Sequence, residues 1–211
     1  MKGYPQLYPE FDNLLKEAIA FHGHLCAGQI IGVRIAMLGL RELGITDPRG
    51  KESKKLVVFV EIDRCAADAI MIVTGCRVGR RSMKIVDNGK MAATFVHLET
   101  GKAVRIVSLY DAREKAAARF PDLDATAAQK QAYREMSDID LFSVQEVLVD
   151  LKPEDLPGRP LRKAQCTSCG ETILDMRDVE QDGQVLCKTC ASGKIFYTVQ
   201  APPRAPIAQT I

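Results

Sequence analysis

The spacing of apolar positions predicts two helices and a strand in the first part of the chain. Apolar residues recur at helical intervals over 11–20, and the almost wholly apolar run 30–40 predicts a buried second helix ending near Gly44. The run 56–62 is rich in β-branched residues and predicts a buried strand. This part of the chain is therefore expected to pack helices against a sheet.

The segment after this strand predicts a third helix. It begins at Cys65 or one residue earlier and ends at Thr74, with Asp63 in position to cap it and Gly75 in position to end it. Cys65 would then lie at a helix N-terminus, and Cys26 is likewise expected at or near the start of the second helix. The helix dipole favours a thiolate at such positions.

Later segments predict a β-hairpin, two exposed helices and a final strand. The expected strands are 92–99, 103–109 and 143–149, and the expected helices are 111–120 and 124–136. Thr100-Gly101 suits a tight turn between the first two of these strands, and Asp124 suits the N-cap of the second helix. The expected fold class is α+β, with a small antiparallel or mixed sheet packed by helices.

Proline and cysteine positions divide the chain into four expected parts. These are an α+β domain over 1–151, a linker over 152–163, a zinc ribbon over 164–198 and a tail over 199–211. Three prolines stiffen the linker. The first nine residues are expected to form a loosely held arm, and the proline-rich tail to be disordered or strap-like.

The ribbon is predicted from two cysteine pairs. Cys166 and Cys169 form one CxxC pair, and seventeen residues later Cys187 and Cys190 form the second. Four thiolates complete a tetrahedral shell around zinc and leave no position for substrate, so we expect this zinc to be structural. Asp182-Gly183 predicts a hairpin between the pairs.

Composition and charge restrict the class of protein. The chain has 211 residues, 46% of them hydrophobic, a net charge of +2 and no tryptophan. The small charge and few aromatic residues argue against nucleic-acid binding. Seven cysteines without a signal peptide or a membrane-spanning run indicate metal sites or reactive thiols in a reducing compartment, so we expect a cytoplasmic protein.

The junction between the first two helices carries the candidate chemistry. His22, His24 and Cys26 lie within five positions, and imidazole and thiolate are ligands that zinc, nickel and iron favour. Gly23 predicts an elbow between the helices. An extended elbow would bring His24 to the side of Cys26, whereas a helical one would bring His22 there. The alternatives are a packed junction with an inert buried thiol, or a metal-free, redox-active cluster.

Three later residues are candidates for the same site. Cys65 begins the third helix, Asp68 shares its face, and Cys76 follows in a loop. A third ligand from Cys65 or Cys76 would leave one position on the ion for water or substrate. The candidate metal ligands are His22, His24, Cys26, Cys65 and Cys76, and the candidate catalytic residues are Cys26, Cys65 and Asp68.

Two other features have both a structural and a functional interpretation. The basic run 77–84 is either a solvated surface or an anion site, in which Arg77, Arg80 and Arg81 hold a phosphate or carboxylate. His97 lies on a predicted strand, where a single histidine is more often structural than a ligand.

Several motifs support a family resemblance. They are His22-Gly23-His24-Leu25-Cys26-Ala27-Gly28, Asp63-Arg64-Cys65-Ala66-Ala67-Asp68-Ala69-Ile70, Thr74-Gly75-Cys76-Arg77-Val78-Gly79, and Leu141-Phe142 with Val144 and Val147. Together they resemble the FmdE family, which is named for a subunit of formylmethanofuran dehydrogenase. The ribbon, with Cys169-Gly170 and Leu186-Cys187, resembles a DksA/TraR-type zinc finger. Ala27 replaces the family's common proline, and Arg77 replaces its common threonine and alters the charge beside Cys76.

The resemblance implies an α+β domain with a cleft lined by the elbow, Cys65, Asp68 and the Cys76 loop. It also implies a homodimer, and association with the molybdenum or tungsten enzyme that interconverts carbon dioxide and formylmethanofuran. The chain carries no signal for a pterin cofactor or iron–sulfur clusters on that enzyme's scale, so we do not expect it to be the large catalytic subunit.

Two functions follow as hypotheses. One is a metal-dependent enzyme or accessory subunit in or beside one-carbon or molybdo-enzyme metabolism, whose second metal ion, zinc, nickel or iron, polarises a carbonyl or activates water. The other is a non-catalytic metal or cofactor chaperone, or a regulator whose ribbon docks on a partner. The apolar second helix also predicts a homodimer, because such a helix needs cover.

Overall fold

A computed structural model describes residues 10–200 of the chain. The expected N-terminal arm and nearly all of the expected tail lie outside these residues. The chain divides into two compact units, with the boundary between Gly158 and Arg159.

The first unit contains six α-helices within the described residues. They are α1 (Phe11–His22), α2 (Ala27–Leu43), α3 (Cys65–Thr74), α4 (Ala112–Arg119), α5 (Ala125–Glu135) and α6 (Asp138–Leu141). Short 3-10 turns cover Val78–Arg80 and Pro153–Asp155. Between residues 10 and 200, no helix has the length and apolar character needed to cross a membrane.

A five-stranded mixed sheet forms the other half of this unit. Its strands are β1 (Leu56–Val60), β2 (Met83–Ile85), β3 (Ala92–His97), β4 (Ala103–Ser108) and β5 (Phe142–Val147). The spatial order is β2-β1-β3-β4-β5, and β1 and β2 are parallel while the other neighbours are antiparallel. The expected α+β class, with a small sheet packed by helices, is confirmed.

Helix α2 lies at the centre of the first unit. It packs against α3, α5, β3 and β4, and almost every residue from Gln29 to Leu40 is buried. At Gly39 the helix approaches Phe95 so closely that an added Cβ would overlap the aromatic ring. This chain therefore supplies the cover that α2 needs, and the homodimer stays a prediction.

A buried arginine connects α2 to the segment around α5 and α6. Arg34 is 3% exposed and donates hydrogen bonds to the carbonyl oxygens of Tyr133 at 2.9 Å and Met136 at 2.6 Å. It also pairs with Asp138 at 2.6 Å. These bonds satisfy carbonyls at the end of α5 that have no partner within that helix.

The predicted helix ends agree with the structure except at the start of α3. Asp124 accepts hydrogen bonds from the backbone N–H groups of Thr126 and Ala127, and Gly75 ends α3 in the left-handed conformation, both as predicted. The prediction that Asp63 caps α3 is wrong, because Arg64 is the N-cap residue and no side chain accepts a capping hydrogen bond there.

The second unit consists of two hairpins and a short helix. The hairpins pair β6 (Lys163–Gln165) with β7 (Thr172–Leu174), and β8 (Asp178–Gln181) with β9 (Gln184–Cys187), and α7 covers Lys188–Ser192. Asp182 and Gly183 both have positive φ, as the predicted tight turn requires. The arrangement fits a small zinc ribbon.

Candidate metal centre

Three helix termini meet at one point in the first unit. His22 is the last residue of α1, Cys26 is the N-cap residue of α2, and Cys65 is the first residue of α3. One imidazole nitrogen and the two sulfur atoms all lie within 4.8 Å of one another, with His22 Nε2 4.0 Å from Cys26 Sγ. The elbow achieves this with a left-handed Gly23, whose N–H bonds the Ile19 carbonyl.

Two glycines on α2 allow the thiols to approach. A Cβ at Gly28 would lie 2.9 Å from Cys65 Cβ, and a Cβ at Gly32 would lie 2.7 Å from the Ala66 carbonyl oxygen. Because these glycines lie four positions apart, they face α3 along one side of α2. The close contact of the two helices brings Cys65 to Cys26, although the two residues are far apart in sequence.

Asp68 orients the imidazole of His22. Its Oδ2 lies 2.8 Å from His22 Nδ1, so Nδ1 carries the hydrogen and Nε2 is directed toward the thiols. The imidazole is 14% exposed and the carboxylate 40% exposed. A carboxylate behind a metal-binding histidine is a common arrangement in metal sites, where it fixes the tautomer and raises the basicity of the ligand.

The electrostatics of the thiols favour a cation between them. Burial raises the pKa of the Cys65 thiol, and the neighbouring Cys26 and the charge of Asp68 raise it further. A divalent cation would offset all of these effects, because it stabilises the thiolates and attracts the carboxylate. One imidazole and two thiolates are a donor set that fits zinc, nickel or iron, and a four-coordinate ion would retain one open position.

The remaining predicted ligands lie elsewhere. Cys76 is 2% exposed, its Sγ lies 3.8 Å from the Leu56 carbonyl oxygen, and burial raises its pKa. The structure does not bring this thiol to the site. His24 is exposed, and its ring lies tilted against that of His22 with centroids 4.7 Å apart, outside the group of converging donor atoms.

His97 and the basic run take no part in this group. His97 is buried, and its Nδ1 accepts hydrogen bonds from the backbone N–H groups of Glu99 and Thr100, which is a structural role. Arg77 and Arg80 are exposed. The alternative that these side chains form an anion site gains no support from their exposure.

Gln29 is a site neighbour that sequence reasoning missed. It is fully buried one turn after Cys26, and its Nε2 donates to the Cys65 carbonyl oxygen at 2.6 Å. A polar residue directly before the apolar run 30–40 was the available signal, but the partner on α3 is set by tertiary packing.

The second unit holds the other group of candidate ligands. The sulfur atoms of its four cysteines, Cys166, Cys169, Cys187 and Cys190, lie within 4.8 Å of one another. Backbone N–H groups of Cys169 and Cys187 lower the pKa of the Cys166 thiol to about 6. These donors favour a thiolate ready for a metal ion, and four such sulfur ligands close a tetrahedral shell.

The fold and the two sites define an α+β protein with one partly exposed His/Cys site and one four-cysteine site. A family model described as "FmdE, Molybdenum formylmethanofuran dehydrogenase operon" matches residues 21–151. The chain therefore belongs to the FmdE family, as the sequence motifs predicted.

Similar proteins include a curated relative and a solved structure. A "Probable S-adenosyl-L-methionine-binding protein" of Archaeoglobus fulgidus is 28% identical over 206 residues, covering 89% of this chain and 54% of that protein. The chain thus spans about half the length of this curated relative. A crystal structure of a tungsten formylmethanofuran dehydrogenase FmdE-like protein from Syntrophus aciditrophicus aligns with a TM-score of 0.58 and 19% identity, covering 93% of this chain and 100% of that one. This second likeness supports the fold.

Proposed function

We propose that this chain is a metal-dependent enzyme or accessory subunit in or beside one-carbon or molybdo-enzyme metabolism. Its ion, zinc, nickel or iron, is held by His22, Cys26 and Cys65. A second ion, zinc, has a structural role in the four-cysteine ribbon, whose DksA/TraR-type assignment stays a prediction. Family membership supports the link to formylmethanofuran dehydrogenase.

The observation that carries this proposal is the convergence of three donors with an orienting carboxylate. His22 Nε2 faces the thiols because Asp68 holds Nδ1 at 2.8 Å. The cysteines are only partly buried, so a small substrate can reach the ion. A bound ion would supply Lewis acidity toward a carbonyl group or a water molecule.

The chain's own residues have distinct roles in this proposal. Cys26 and Cys65 hold the ion as thiolates, and His22 completes the set with a neutral imidazole. Asp68 keeps that imidazole in one tautomer, and its exposed carboxylate is placed to accept a proton from a substrate bound beside the site. His24 and Cys76, which were predicted as ligands, are not needed.

The test is the metal content of the full chain and its variants. The unmodified chain should bind two ions per chain, and Cys26→Ser or Cys65→Ser should bind one, with the circular dichroism spectrum of the folded chain retained. Cys76→Ala is the matched control and should retain two. One ion in the unmodified chain after reconstitution with zinc, nickel and iron in turn would overturn the proposal.

A non-catalytic metal or cofactor chaperone is the second candidate, favoured by the exposed apolar surface of the ribbon. Leu174, Met176 and Phe196 are 48%, 42% and 100% exposed, so these apolar side chains are accessible to a partner. We call the His22–Cys26–Cys65 site the first site. Rapid transfer of its ion to a chelator would favour the chaperone role. Because the Archaeoglobus relative is named for binding S-adenosylmethionine, calorimetric titration with that compound belongs to the same experiment. Homodimerisation and a cytoplasmic location stay predictions, and light scattering tests the first.

A further inference from the structure

Gln29 occupies an unusual position for an amide side chain. It is 0% exposed in the first turn of α2, three positions after Cys26, and its Nε2 donates to the Cys65 carbonyl oxygen at 2.6 Å. Its side chain therefore joins the helix that begins with one candidate thiol to the helix that begins with the other.

The fold alone does not require this amide. Gln29 Oε1 is buried and has no hydrogen-bond partner among residues 10–200. An orphaned buried carbonyl oxygen destabilises the folded state, because it loses its hydrogen bonds to water without replacement. Cys65 lies in the first turn of α3, where its carbonyl already has a helical acceptor role. A methionine would fill nearly the same volume without an unsatisfied oxygen, so stability does not explain a glutamine here.

A directional bond crosses the contact between the helices at this point. Gly28 lets α3 approach but has no side chain to pack, and the space for a Cβ is closed by Cys65. Small residues allow helices to slide along or past one another. A hydrogen bond of fixed length from Gln29 removes that freedom beside the two thiols.

We propose that Gln29 is a positioning residue of the His22–Cys26–Cys65 site. Its amide fixes the first turn of α3 against α2, and so fixes the separation of the Cys26 and Cys65 thiols at the value that one ion requires. This inference rests on the proposed metal site. Residues behind metal ligands have such effects, and their loss commonly lowers metal affinity by about 10–100-fold.

The test compares Gln29→Met with the unmodified full chain. The first measurement is cobalt(II) titration in competition with a chelator, with the ribbon as an internal reference in the same molecule. We expect the affinity of the first site to fall by about 10–100-fold, and its thiolate-to-cobalt absorption to shift, while the ribbon is unchanged. Ile35→Val is the control, since it removes packing from α2 away from the thiols.

A second measurement reports thiol separation without a metal ion. Phenylarsine oxide forms two As–S bonds, with release of water, to a pair of thiols that lie close together. A chain with zinc in the ribbon and no ion at the first site should bind one equivalent of phenylarsine oxide. Gln29→Met should bind the arsenical more weakly. Cys26→Ser should not bind it.

The outcomes separate the two proposals. Equal cobalt affinity, spectrum and arsenical binding in Gln29→Met and the unmodified chain would overturn the positioning role and leave the metal site standing. Failure of the unmodified chain to bind an ion at the first site, in addition to the ribbon zinc, would overturn the metal site. Arsenical binding would still decide whether Gln29 sets the separation of the two thiols. An equal loss of cobalt affinity and arsenical binding in Ile35→Val would show that Gln29 acts only through packing.

Discussion

Asp68 on α3 accepts a hydrogen bond from His22 at the end of α1, with Oδ2 and Nδ1 2.8 Å apart. Replacing Asp68 with Asn weakens this bond and frees the imidazole to rotate or change tautomer. We expect the metal affinity of the first site to fall by about 10–100-fold, with no change in the ribbon. Competition with a fluorescent chelator measures both affinities.

The matched control for this prediction is Asp63→Asn. It removes the same charge from an exposed loop residue next to α3, outside the converging donors. An equal loss of affinity in both variants would show that net charge, rather than the bond to His22, is responsible.

Arg34→Met should destabilise the first unit strongly. The change leaves Asp138 and the carbonyl groups of Tyr133 and Met136 without their buried donor. Breaking a buried pair by removing one partner costs about 3–5 kcal/mol. Urea unfolding measures the loss. Arg41→Met is the control, because Arg41 reaches the same carboxylate at 3.0 Å from the surface, where such pairs contribute about 0–1 kcal/mol.

Gly39→Ala should destabilise the chain even though alanine favours helices. The added methyl group would overlap the ring of Phe95. Overpacking of a core costs about 1–3 kcal/mol, more than the roughly 1 kcal/mol gained in helix propensity. A double variant with Phe95→Leu should recover part of the loss in thermal unfolding. Strictly additive effects of the two changes would contradict the clash.

The ion pair between Glu61 and Arg105 should make stability depend on pH. Hydrogen bonding to Arg105 lowers the pKa of Glu61 below its ordinary value, so the pair stabilises the fold above the unfolded pKa of about 4.3. That contribution is lost as pH falls through the lowered pKa. When the pH is lowered from about 5 to the acid transition, the range where this carboxyl titrates, the free energy of unfolding should therefore fall less in Glu61→Gln than in the unmodified chain. Glu99→Gln, an exposed acid, should follow the unmodified chain in urea titrations at each pH.

Cys187→Ser should remove the ribbon ion and unfold the second unit. The core of that unit is small, with Cys166, Ile173 and Leu186 buried, so its stability depends on the metal. Proton NMR should show loss of the ribbon signals while those of the first unit persist. Thr189→Ala, within the same CxxC pair, should leave both units folded. Simultaneous loss of both sets of signals would contradict independent units.

The local pattern was sufficient to predict most elements of the fold. Periodicity predicted α2 and β1, and glycine chemistry predicted the end of α3 and the Asp182-Gly183 turn. The prediction of Asp63 as the cap was wrong by one position. The residue that directly precedes α3 is Arg64, and its backbone conformation, which fixes the cap, is not readable from the sequence. The apolar sequence of α2 could not show what covers the helix, because α5 and the sheet, which bury it, are distant in sequence.

The sequence predicted which residue types form the candidate site, but not which of the five candidate ligands come together. Residue types identified His22, Cys26 and Cys65 among five ligands, while their convergence depends on the close packing of α2 and α3. Cys76 follows the end of α3, and its exclusion from the site comes from the direction that the chain takes into the core. Gln29 lacked any motif, because its partner is a backbone carbonyl.

Burial of Cys76 makes this thiol a reporter of opening in the first unit. With 2% exposure, it meets an alkylating reagent only when the contact between the loop after α3 and β1 opens. Under conditions where alkylation outpaces closing, the labelling rate of Cys76 equals the opening rate. Mass spectrometry of that one peptide therefore measures how fast the first unit opens, free of any contribution from the ribbon cysteines.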